Sequence, residues 1–513
     1  MAYDIIFVLG EVFFDHPLCG AAILKRLLEK HGYSVGIIEM PKEEKDVERL
    51  GRPRLFFGVS SGCIDSMLRN YTPMKRRRES AGEVPDRAVI VYSNWIRHKF
   101  RGTPIVLGGT EASLRRLVHY DYWENRLRRP ILFDSRADIL AYGNAEKQVI
   151  EIASRIKAGK PLDGIGGTCM ISQGNNGFSE LPSYEEVLNS KERFCDMQNM
   201  LSNSKCLAQK IDNRYVVQHR YPEYSQKDLD EYYGLGFSRK APTKELRGFE
   251  FSVVTHRGCI GECSFCSLTL LQGRRIISRS EESILKEIEG ITKLKYFKGN
   301  IDDMGGPSAN MYGMDCSKCR EGHCIGCNRL DRSNQKLLRL LRKARRISGV
   351  KNVYIRSGIR HDLASEEYIR EVAMHHVYST LKIAPEHVSK GVLQLMNKDR
   401  GDFRKFVEAF KKTGTRKKIS FYFMTAHPGS GMKEAKELAS AMSGLEDSEK
   451  VQVFTPTPMT LSTCMYYTGL DPRTKKPVHV PYTYSEKKEQ KRILFRCRPG
   501  RGTAKRLNAF HPN

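Results

Sequence analysis

The chain has 513 residues, of which 40 % are hydrophobic and 28 % charged, with a formal net charge of +27. This length fits two or three domains, and the ordinary hydrophobic and charged fractions exclude wholesale disorder. No stretch approaches the roughly 18 apolar residues of a membrane span, and the start of the chain lacks the basic region of a signal peptide, so we expect a cytoplasmic protein that does not span a membrane.

Strand and helix patterns alternate through the first 163 residues. An apolar β-rich run at 4–9 precedes a helical pattern at 21–31 and a strand pattern at 35–38. The same alternation continues with strands at 55–60, 105–107 and 139–142 and helices at 86–100 and 146–157. We therefore predict an N-terminal Rossmann-like α/β domain, residues 1–163, built on a doubly wound and mostly parallel sheet.

The pattern loosens between 164 and 249, which is typical of a connecting region, with one helix predicted at 225–233. Alternation returns over 250–481, with strands at 251–255, 299–303, 352–357, 381–384, 419–424 and 451–454. Six β/α units predict a partial (β/α)6 barrel. Residues 482–513 are polar and basic, and we expect them to form a tail without a core of its own.

Three cysteines, Cys259, Cys263 and Cys266, follow the first predicted barrel strand at spacings of four and three. Three thiolates can hold a 4Fe-4S cluster and leave one iron open to another ligand, and the glycines of this segment let the loop wrap closely. A tight loop of buried cysteines and a zinc site with a distant fourth ligand are the alternatives.

The Cys-x-x-x-Cys-x-x-Cys loop resembles the signature of the radical S-adenosylmethionine (radical SAM) superfamily, and Phe265 before the last cysteine also fits. Three further stretches are similar to the YgiQ family, a similarity that spans nearly the whole chain. These stretches are 1–20, 256–258 with 272–275 and 278–280, and 306–312.

The resemblance implies a mechanism for a substrate that the sequence does not name. The open iron of the cluster binds S-adenosylmethionine, and an electron passed through the cluster cleaves it to methionine and a 5′-deoxyadenosyl radical. A reductant of the flavodoxin or ferredoxin kind is expected as a partner. Whether S-adenosylmethionine is consumed or regenerated does not follow from the sequence.

The resemblance also places candidate cofactor contacts after the second barrel strand. Gly305 and Gly306 look like the glycine-rich element that meets the methionyl amino group, with Phe265 as a further contact, although Pro307 stands where an acidic residue is usual. Asp302 and Asp303 precede these glycines and could equally be strand-end turn residues. Later strand ends carry the other candidates, which are Arg356, Ser357, Glu386, His387, His427 and 455–458.

A second cysteine group, Cys316, Cys319, Cys324 and Cys327, lies in an insertion of the barrel at 316–327. Two Cys-x-x-Cys pairs can close a four-thiolate site for zinc or for an auxiliary iron–sulfur cluster, and the sequence does not choose between these metals.

The N-terminal domain resembles the cobalamin-binding domains that are fused to many radical SAM enzymes, with a glycine-acid strand end at 142–146. The segment 15–20 lacks the Asp-x-His-x-x-Gly spacing of an axial histidine, so cobalamin is possible but has no axial ligand motif. A scaffold that caps the barrel is the other interpretation.

Basic runs at 75–78 and 487–506 make nucleic acid a possible partner, although each run could be a solvated face or a disordered arm. The leading hypothesis is therefore a radical SAM enzyme of unknown substrate. The alternatives are a cobalamin-dependent radical methyltransferase and a non-catalytic iron–sulfur or zinc protein that binds nucleic acid. The oligomeric state does not follow from the sequence.

Overall fold

The computed structural model describes residues 2–79, 81–318, 323–445 and 448–496. The predictions for Cys319 and for the basic residues beyond 496 lie outside these ranges. No helix in them is long and apolar enough to cross a membrane.

Nine described strands form one sheet in the N-terminal half, and a separate hairpin lies beside it. The first five strands of the sheet are parallel, in the order β2-β1-β3-β4-β7. The N-terminal strands are β1 (Ile5–Leu9), β2 (Val35–Glu39), β3 (Phe56–Ser60), β4 (Ile105–Leu107), the hairpin β5 (His119–Asp121) and β6 (Arg126–Arg128), β7 (Ile139–Ala141), β8 (Thr168–Ser172), β9 (Ser179–Leu181), β10 (Leu207–Ile211) and β11 (Arg214–Gln218).

Helices join the parallel strands and cover the sheet, since strands buried on both faces need a layer on each side. The helices of this half are α1 (Gly20–Lys30), α2 (Ser66–Asn70), α3 (Ala88–Lys99), α4 (Gly109–Ser113), α5 (Ile131–Ser135), α6 (Glu146–Lys157), α7 (Tyr184–Asn189), α8 (Lys191–Met200) and α9 (Gln226–Tyr233). The predicted doubly wound parallel sheet is thereby confirmed, and α9 lies where the sequence places a helix.

Residues 164–249 differ from the expected connection because they extend the sheet. Strands β8 to β11 add four members beyond β7, and β8 and β11 pair antiparallel with their neighbours. These strands have only three to five residues and mix polar with apolar side chains, so the period of two is too short to stand out.

The second half carries a run of parallel strands. β12 pairs with β16, β15 with β17, Ile359 bridges to Ile383, and β18, β19 and β20 form the last three-stranded part. The strands are β12 (Ser252–Val254), β13 (His256–Arg257), β14 (Ile277–Ser278), β15 (Asn300–Ile301), β16 (Asp303–Gly305), β17 (Asn352–Val353), β18 (Thr380–Glu386), β19 (Lys418–Thr425) and β20 (Ser448–Val453). The six strand regions match the predicted partial barrel.

Helices alternate with these strands, and their apolar faces fill the barrel core. Ile284 and Ile288 of one helix and Leu338 and Leu341 of another are fully buried there. The helices are α10 (Leu268–Gln272), α11 (Glu281–Thr292), α12 (Gln335–Ala344), α13 (Glu366–His375), α14 (Lys390–Leu395), α15 (Phe403–Lys412), α16 (Met432–Ser443), α17 (Leu461–Thr468) and α18 (Tyr484–Arg496).

Helix α18 corrects the expectation of a tail from residue 482. Leu494 is 1 % exposed in the barrel core, and the buried Gln490 donates to the carbonyl of Ser430 and accepts from the amide of Ala426. Buried positions recur at 487, 490 and 494, which is one helix face. The basic residues between them conceal this stripe in a composition count.

The two halves share a core. Met424, Phe454, Met459 and Cys464 of the second half pack in the same apolar cluster as the strands of the N-terminal sheet. The C-terminal segment thus fixes the sheet against the barrel.

Candidate functional site

The loop from Gly258 to Cys266 leaves the carboxyl end of the first barrel strand. Gly258 has φ +87°, and a Cβ there would lie 1.8 Å from the carbonyl oxygen of Arg275, so no other residue fits. The Cys259 amide donates to the Gly273 carbonyl at 3.1 Å, and the Cys266 amide donates to the Cys263 carbonyl at 3.0 Å. These bonds fold the three cysteines into one tight loop.

The three cysteines of this loop are half-buried. Burial raises the pKa of Cys259, and burial together with the neighbouring Cys263 raises the pKa of Cys266 to about 12. The thiolate form is therefore costly unless a cation compensates it, which is the behaviour of a metal ligand that releases its proton on binding.

The donor set fits a multi-iron cluster. No three cysteine, histidine or carboxylate side chains converge tightly enough for a single metal ion in residues 2–79, 81–318, 323–445 and 448–496. The thiolates of a cubane bind different iron atoms and need not converge on one point. Gly261 has no side chain to crowd the first thiol or Arg360. A Cβ at this position would lie 3.4 Å from Cys259 Sγ and 2.4 Å from Arg360 Nη1.

Two cations that the sequence analysis did not single out flank this loop. Arg360 Nη1 donates to Cys263 Sγ at 3.4 Å, while its other nitrogens donate to the two carboxylate oxygens of Asp362 at 2.9 and 2.6 Å. Lys398 Nζ lies 3.4 Å from Glu386 Oε1, and burial raises the pKa of that carboxyl. Only the approach of strands 100 residues apart brings these groups together, so no local motif indicates them.

The glycine-rich element lies beside the start of the loop. The Gly305 carbonyl accepts from the Thr255 amide at 2.8 Å, and a Cβ at Gly306 would lie 2.6 Å from the ring of His256. Both predicted glycines are therefore adjacent to the strand that leads into the cysteines. Phe265 packs edge-on to His427, with ring centroids 6.3 Å apart.

Some predicted strand-end residues have structural partners instead. The Asp303 carboxylate accepts from the amides of Arg356 and Ser357 and from the Ser357 hydroxyl. The guanidinium of Arg356 donates to the Gly248 carbonyl at 2.7 Å on the exposed side. The Thr457 carbonyl accepts from hydroxyls at the start of α17. These hydrogen bonds hold the strand ends together, and the Ser357 side chain lies next to Gly305, where a Cβ would be 3.5 Å from its own.

Several buried polar atoms in and around the loop have no hydrogen-bond partner among the described residues, and two of them, on His387 and Ser264, indicate room for a polar ligand. His387 Nδ1 accepts from the Ser389 amide at 3.0 Å, so its neutral ring carries the proton on the unpartnered Nε2. The second atom is the hydroxyl of Ser264. His427, in contrast, is occupied, because its ring bonds the Pro428 carbonyl and the Ser462 hydroxyl.

The second cysteine group packs against the same loop. Cys324 and Cys259 contact one apolar cluster around Ile260 and Met311, and His323 Nδ1 lies 2.9 Å from Glu262 Oε2. Cys316, Cys324 and Cys327 are among the described residues, whereas Cys319 is not.

The N-terminal domain meets the loop through residues that the sequence associates with cobalamin. Glu146 Oε1 accepts from Arg257 Nη2 at 2.7 Å in a pair that is almost fully buried. A Cβ at Gly143 would lie 3.0 Å from the Leu271 carbonyl. The ring of His16 is also engaged, because Nδ1 accepts from the Leu18 amide and Nε2 lies 3.1 Å from the Glu250 carbonyl.

Comparisons with solved structures agree on the fold. The tryptophan-bound structure of the radical SAM methyltransferase TsrM from Kitasatospora setae superposes with a TM-score of 0.56 at 15 % identity, over 90 % of this chain and 76 % of that one. The cobalamin-dependent radical enzyme OxsB gives a TM-score of 0.51 at 13 % identity, over 93 % of this chain and 57 % of that one.

Sequence comparisons identify the family. Residues 1–249 match the profile described as radical SAM N-terminal, 253–442 the radical SAM superfamily, and 449–497 a domain of unknown function, DUF3362. The UPF0313 protein of Methanocaldococcus jannaschii is 44 % identical over 96 % of this chain and 89 % of its own length, and that of Geobacter sulfurreducens is 41 % identical over the same shares. The chain therefore belongs to the UPF0313 or YgiQ family of radical SAM enzymes, which use a 4Fe-4S cluster and S-adenosylmethionine.

Proposed function

We propose that Cys259, Cys263 and Cys266 hold the 4Fe-4S cluster of this enzyme and that the reaction starts with reductive cleavage of S-adenosylmethionine. The supporting observation is one half-buried loop, directly after β13, that carries three thiols and no fourth. When bound, the cluster supplies the electron that cleaves S-adenosylmethionine to methionine and a 5′-deoxyadenosyl radical.

We propose that the surrounding residues bind and orient the cluster and S-adenosylmethionine. Arg360 Nη1 donates to Cys263 Sγ and places a positive charge next to this sulfur. Gly305 and Gly306 offer backbone groups next to the first strand, and we propose them, with Phe265, as contacts of S-adenosylmethionine. The proton on His387 Nε2 and the Ser264 hydroxyl are the polar groups that a bound ligand would satisfy.

Apolar side chains keep the site dry. Ile260, Ile276 and Met311 are buried around the cysteine loop. Exclusion of water matters here because a carbon radical reacts with whatever hydrogen donor reaches it.

The direct experiment is anaerobic reconstitution with iron and sulfide, followed by dithionite and S-adenosylmethionine. We expect 5′-deoxyadenosine by mass spectrometry from the wild-type protein and none from Cys259→Ala, Cys263→Ala or Cys266→Ala. Cys206→Ala is the matched control, because this half-buried thiol lies away from the loop on the N-terminal sheet. Nucleoside from any variant of the three loop cysteines at the wild-type rate would contradict the proposal.

We further propose that Cys316, Cys319, Cys324 and Cys327 bind a second metal, either zinc or an auxiliary cluster. The support is the contact between this insertion and the cysteine loop through His323 and Glu262. Metal analysis of a Cys259/Cys263/Cys266→Ala variant separates the cases. Residual iron indicates an auxiliary cluster, and zinc indicates a structural ion. A variant that contains neither metal would contradict the second site.

Cobalamin-dependent methyl transfer is the second candidate function, because the fold is shared with structures that hold cobalamin. The residues present do not offer an axial histidine, since both ring nitrogens of His16 have partners. Any cobalamin here would have to bind without that ligand. Anaerobic titration with hydroxocobalamin, followed by its visible spectrum after gel filtration, tests binding.

For the electron donor, we propose a flavodoxin- or ferredoxin-like protein of the cytoplasm. The support is the family chemistry, which needs a reductant, and a chain with clustered thiols that suit a reducing compartment. Replacement of dithionite by reduced flavodoxin in the same assay tests this partner.

A further inference from the structure

Two basic segments that are 400 residues apart in sequence meet on the surface. Arg76 of the N-terminal domain covers the ring of Tyr484 at 5.5 Å and donates to its hydroxyl. Lys488 approaches the same ring at 6.0 Å. The run at 75–78 and the first turn of α18 therefore form one surface.

Beneath this surface two lysines share an aromatic ring. Lys75 Nζ lies 4.6 Å and Lys487 Nζ 5.2 Å from the ring centroid of Tyr122. Lys487 also donates to the hydroxyl of Tyr466 at 2.8 Å. Burial and the nearby Lys75 lower the pKa of Lys487 to about 8, although Glu486 acts in the opposite direction.

The cations of this surface lack protein carboxylates. Within the part of the chain that the structure describes, no ion pair involves Lys75, Arg76, Arg77, Lys487, Lys488 or Lys491. The nearest acidic side chains have other partners, since Asp121 pairs with Arg87 and Glu486 lies 2.7 Å from His479. The charge is thus available to an external polyanion.

Exposed aromatic rings lie among these cations. Tyr482 and Tyr484 are 51 % and 44 % exposed, although large apolar side chains are normally buried. Cations that contact phosphates next to rings that stack on unpaired bases are the combination by which proteins bind single-stranded nucleic acid. A duplex conceals its base faces and would leave the rings unused.

We propose that this basic aromatic surface, formed by Lys75, Arg76, Arg77, Tyr482, Tyr484 and Lys488, binds single-stranded nucleic acid. The rings beneath this surface form a chain of neighbours toward the barrel mouth. The ring centroids are 6.1 Å apart for Tyr466 and Phe454, 5.0 Å for Phe454 and His427, and 6.3 Å for His427 and Phe265. Binding of nucleic acid at this surface does not depend on the proposed chemistry of the cysteine loop.

The test measures binding of fluorescent oligonucleotides of about 20 residues to the full-length protein by anisotropy at several salt concentrations. The variant Arg76→Gln/Arg77→Gln/Lys488→Gln removes three exposed charges, and we expect an affinity loss of tenfold or more with a salt slope that is lower by about 2. The matched control, Lys293→Gln/Lys295→Gln/Lys298→Gln, removes three exposed charges that also have no ion pair among the described residues. It should change affinity less than threefold.

The aromatic contribution is tested with Tyr484→Ala, for which we expect a loss of about fivefold or more at an unchanged salt slope. Tyr378→Ala is its control, because that ring is 70 % exposed on the barrel and lies outside the surface. Oligouridylate and oligo(dT) distinguish RNA from DNA, and stronger binding of either supports the proposal. Equal losses in the control triple variant, no effect of Tyr484→Ala, or preference for duplex RNA or for phosphatidylserine vesicles would each overturn it.

Discussion

The guanidinium of Arg360 bridges the Asp362 carboxylate and the Cys263 thiol, which its Nη1 approaches at 3.4 Å. Asp362 holds the planar group in one orientation through two parallel bonds, so the charge next to the thiol is fixed. Reduction adds negative charge to an iron–sulfur cluster, and a fixed cation therefore favours the reduced state.

We expect Arg360→Gln to lower the reduction potential of the reconstituted cluster by on the order of 50 mV, since one charge is removed at close range. Redox titration followed by electron paramagnetic resonance measures the shift. Arg360→Lys keeps the positive charge and should therefore show a smaller decrease in reduction potential than Arg360→Gln. The control is Arg274→Gln, because Arg274 is half-exposed and pairs with Glu262 at 3.3 Å on the other side of the loop. An equal shift in the control would mean that general surface charge sets the potential.

A second prediction concerns the buried pair of Glu146 and Arg257, which joins the N-terminal domain to the strand before the cysteines. Glu146→Gln leaves the Arg257 charge buried without its counter-charge, and we expect a loss of about 3–5 kcal/mol in the free energy of unfolding of the apoprotein. Urea denaturation measures the loss.

Two control variants test whether burial of the pair causes this loss of stability. Glu146→Leu combined with Arg257→Met removes both charges and should recover more than half of the loss. The exposed pair of Lys30 and Glu231, 2.7 Å apart, should matter far less, and Glu231→Gln should cost less than about 1 kcal/mol. If the exposed pair cost as much as the buried one, burial would not be the cause.

A third prediction tests the conformation of the loop itself. Gly258→Ala places a Cβ 1.8 Å from the Arg275 carbonyl at a φ of +87°, so the strand and the loop cannot both keep their positions. We expect the variant to fold but to bind less than a tenth of the wild-type iron after reconstitution. Gly273→Ala is its control, because Gly273 has a similar φ of +91° with open space around the Cβ position. Strain alone would impair both variants equally, whereas the clash impairs only the first.

The cysteine loop and the six barrel strands could be predicted from the sequence because their signals are local. Three thiols at fixed spacing and apolar runs between helical patterns need no tertiary information. Arg360 and Lys398 were missed for the opposite reason, since each reaches the site through the packing of strands that are far apart in the chain.

The two fold corrections have a shared physical cause. Strands β8 to β11 are short and mix polar with apolar residues, and helix α18 carries many charged residues beside its buried stripe. Such elements are stabilised by the sheet and the barrel they pack against rather than by their own propensity. For that reason the sequence alone suggested a connection and a tail.

The last prediction concerns pH and rests on Asp302, which precedes the glycine-rich element. Burial raises the pKa of its carboxyl to about 6, although the Phe251 amide donates to it at 3.0 Å. The ordinary value is 3.8, so between about pH 4 and 6 the folded protein binds more protons at this site than the unfolded chain. Stability from this residue is therefore complete at low pH and falls as the pH rises through 6.

Asp302→Asn removes this dependence while its amide oxygen can still accept from Phe251. We expect the variant to be more stable than the wild type by about 1–2 kcal/mol at pH 8, a figure reduced for the partial exposure of the group, and the gain to vanish near pH 4. Thermal unfolding of the apoprotein across this range measures it. Asp331→Asn should show the opposite sign, because bonds from Ser333 lower the pKa of Asp331 and its stabilisation is lost on acidification. A gain for Asp302→Asn that persisted at pH 4 would contradict the assignment of the effect to its titration.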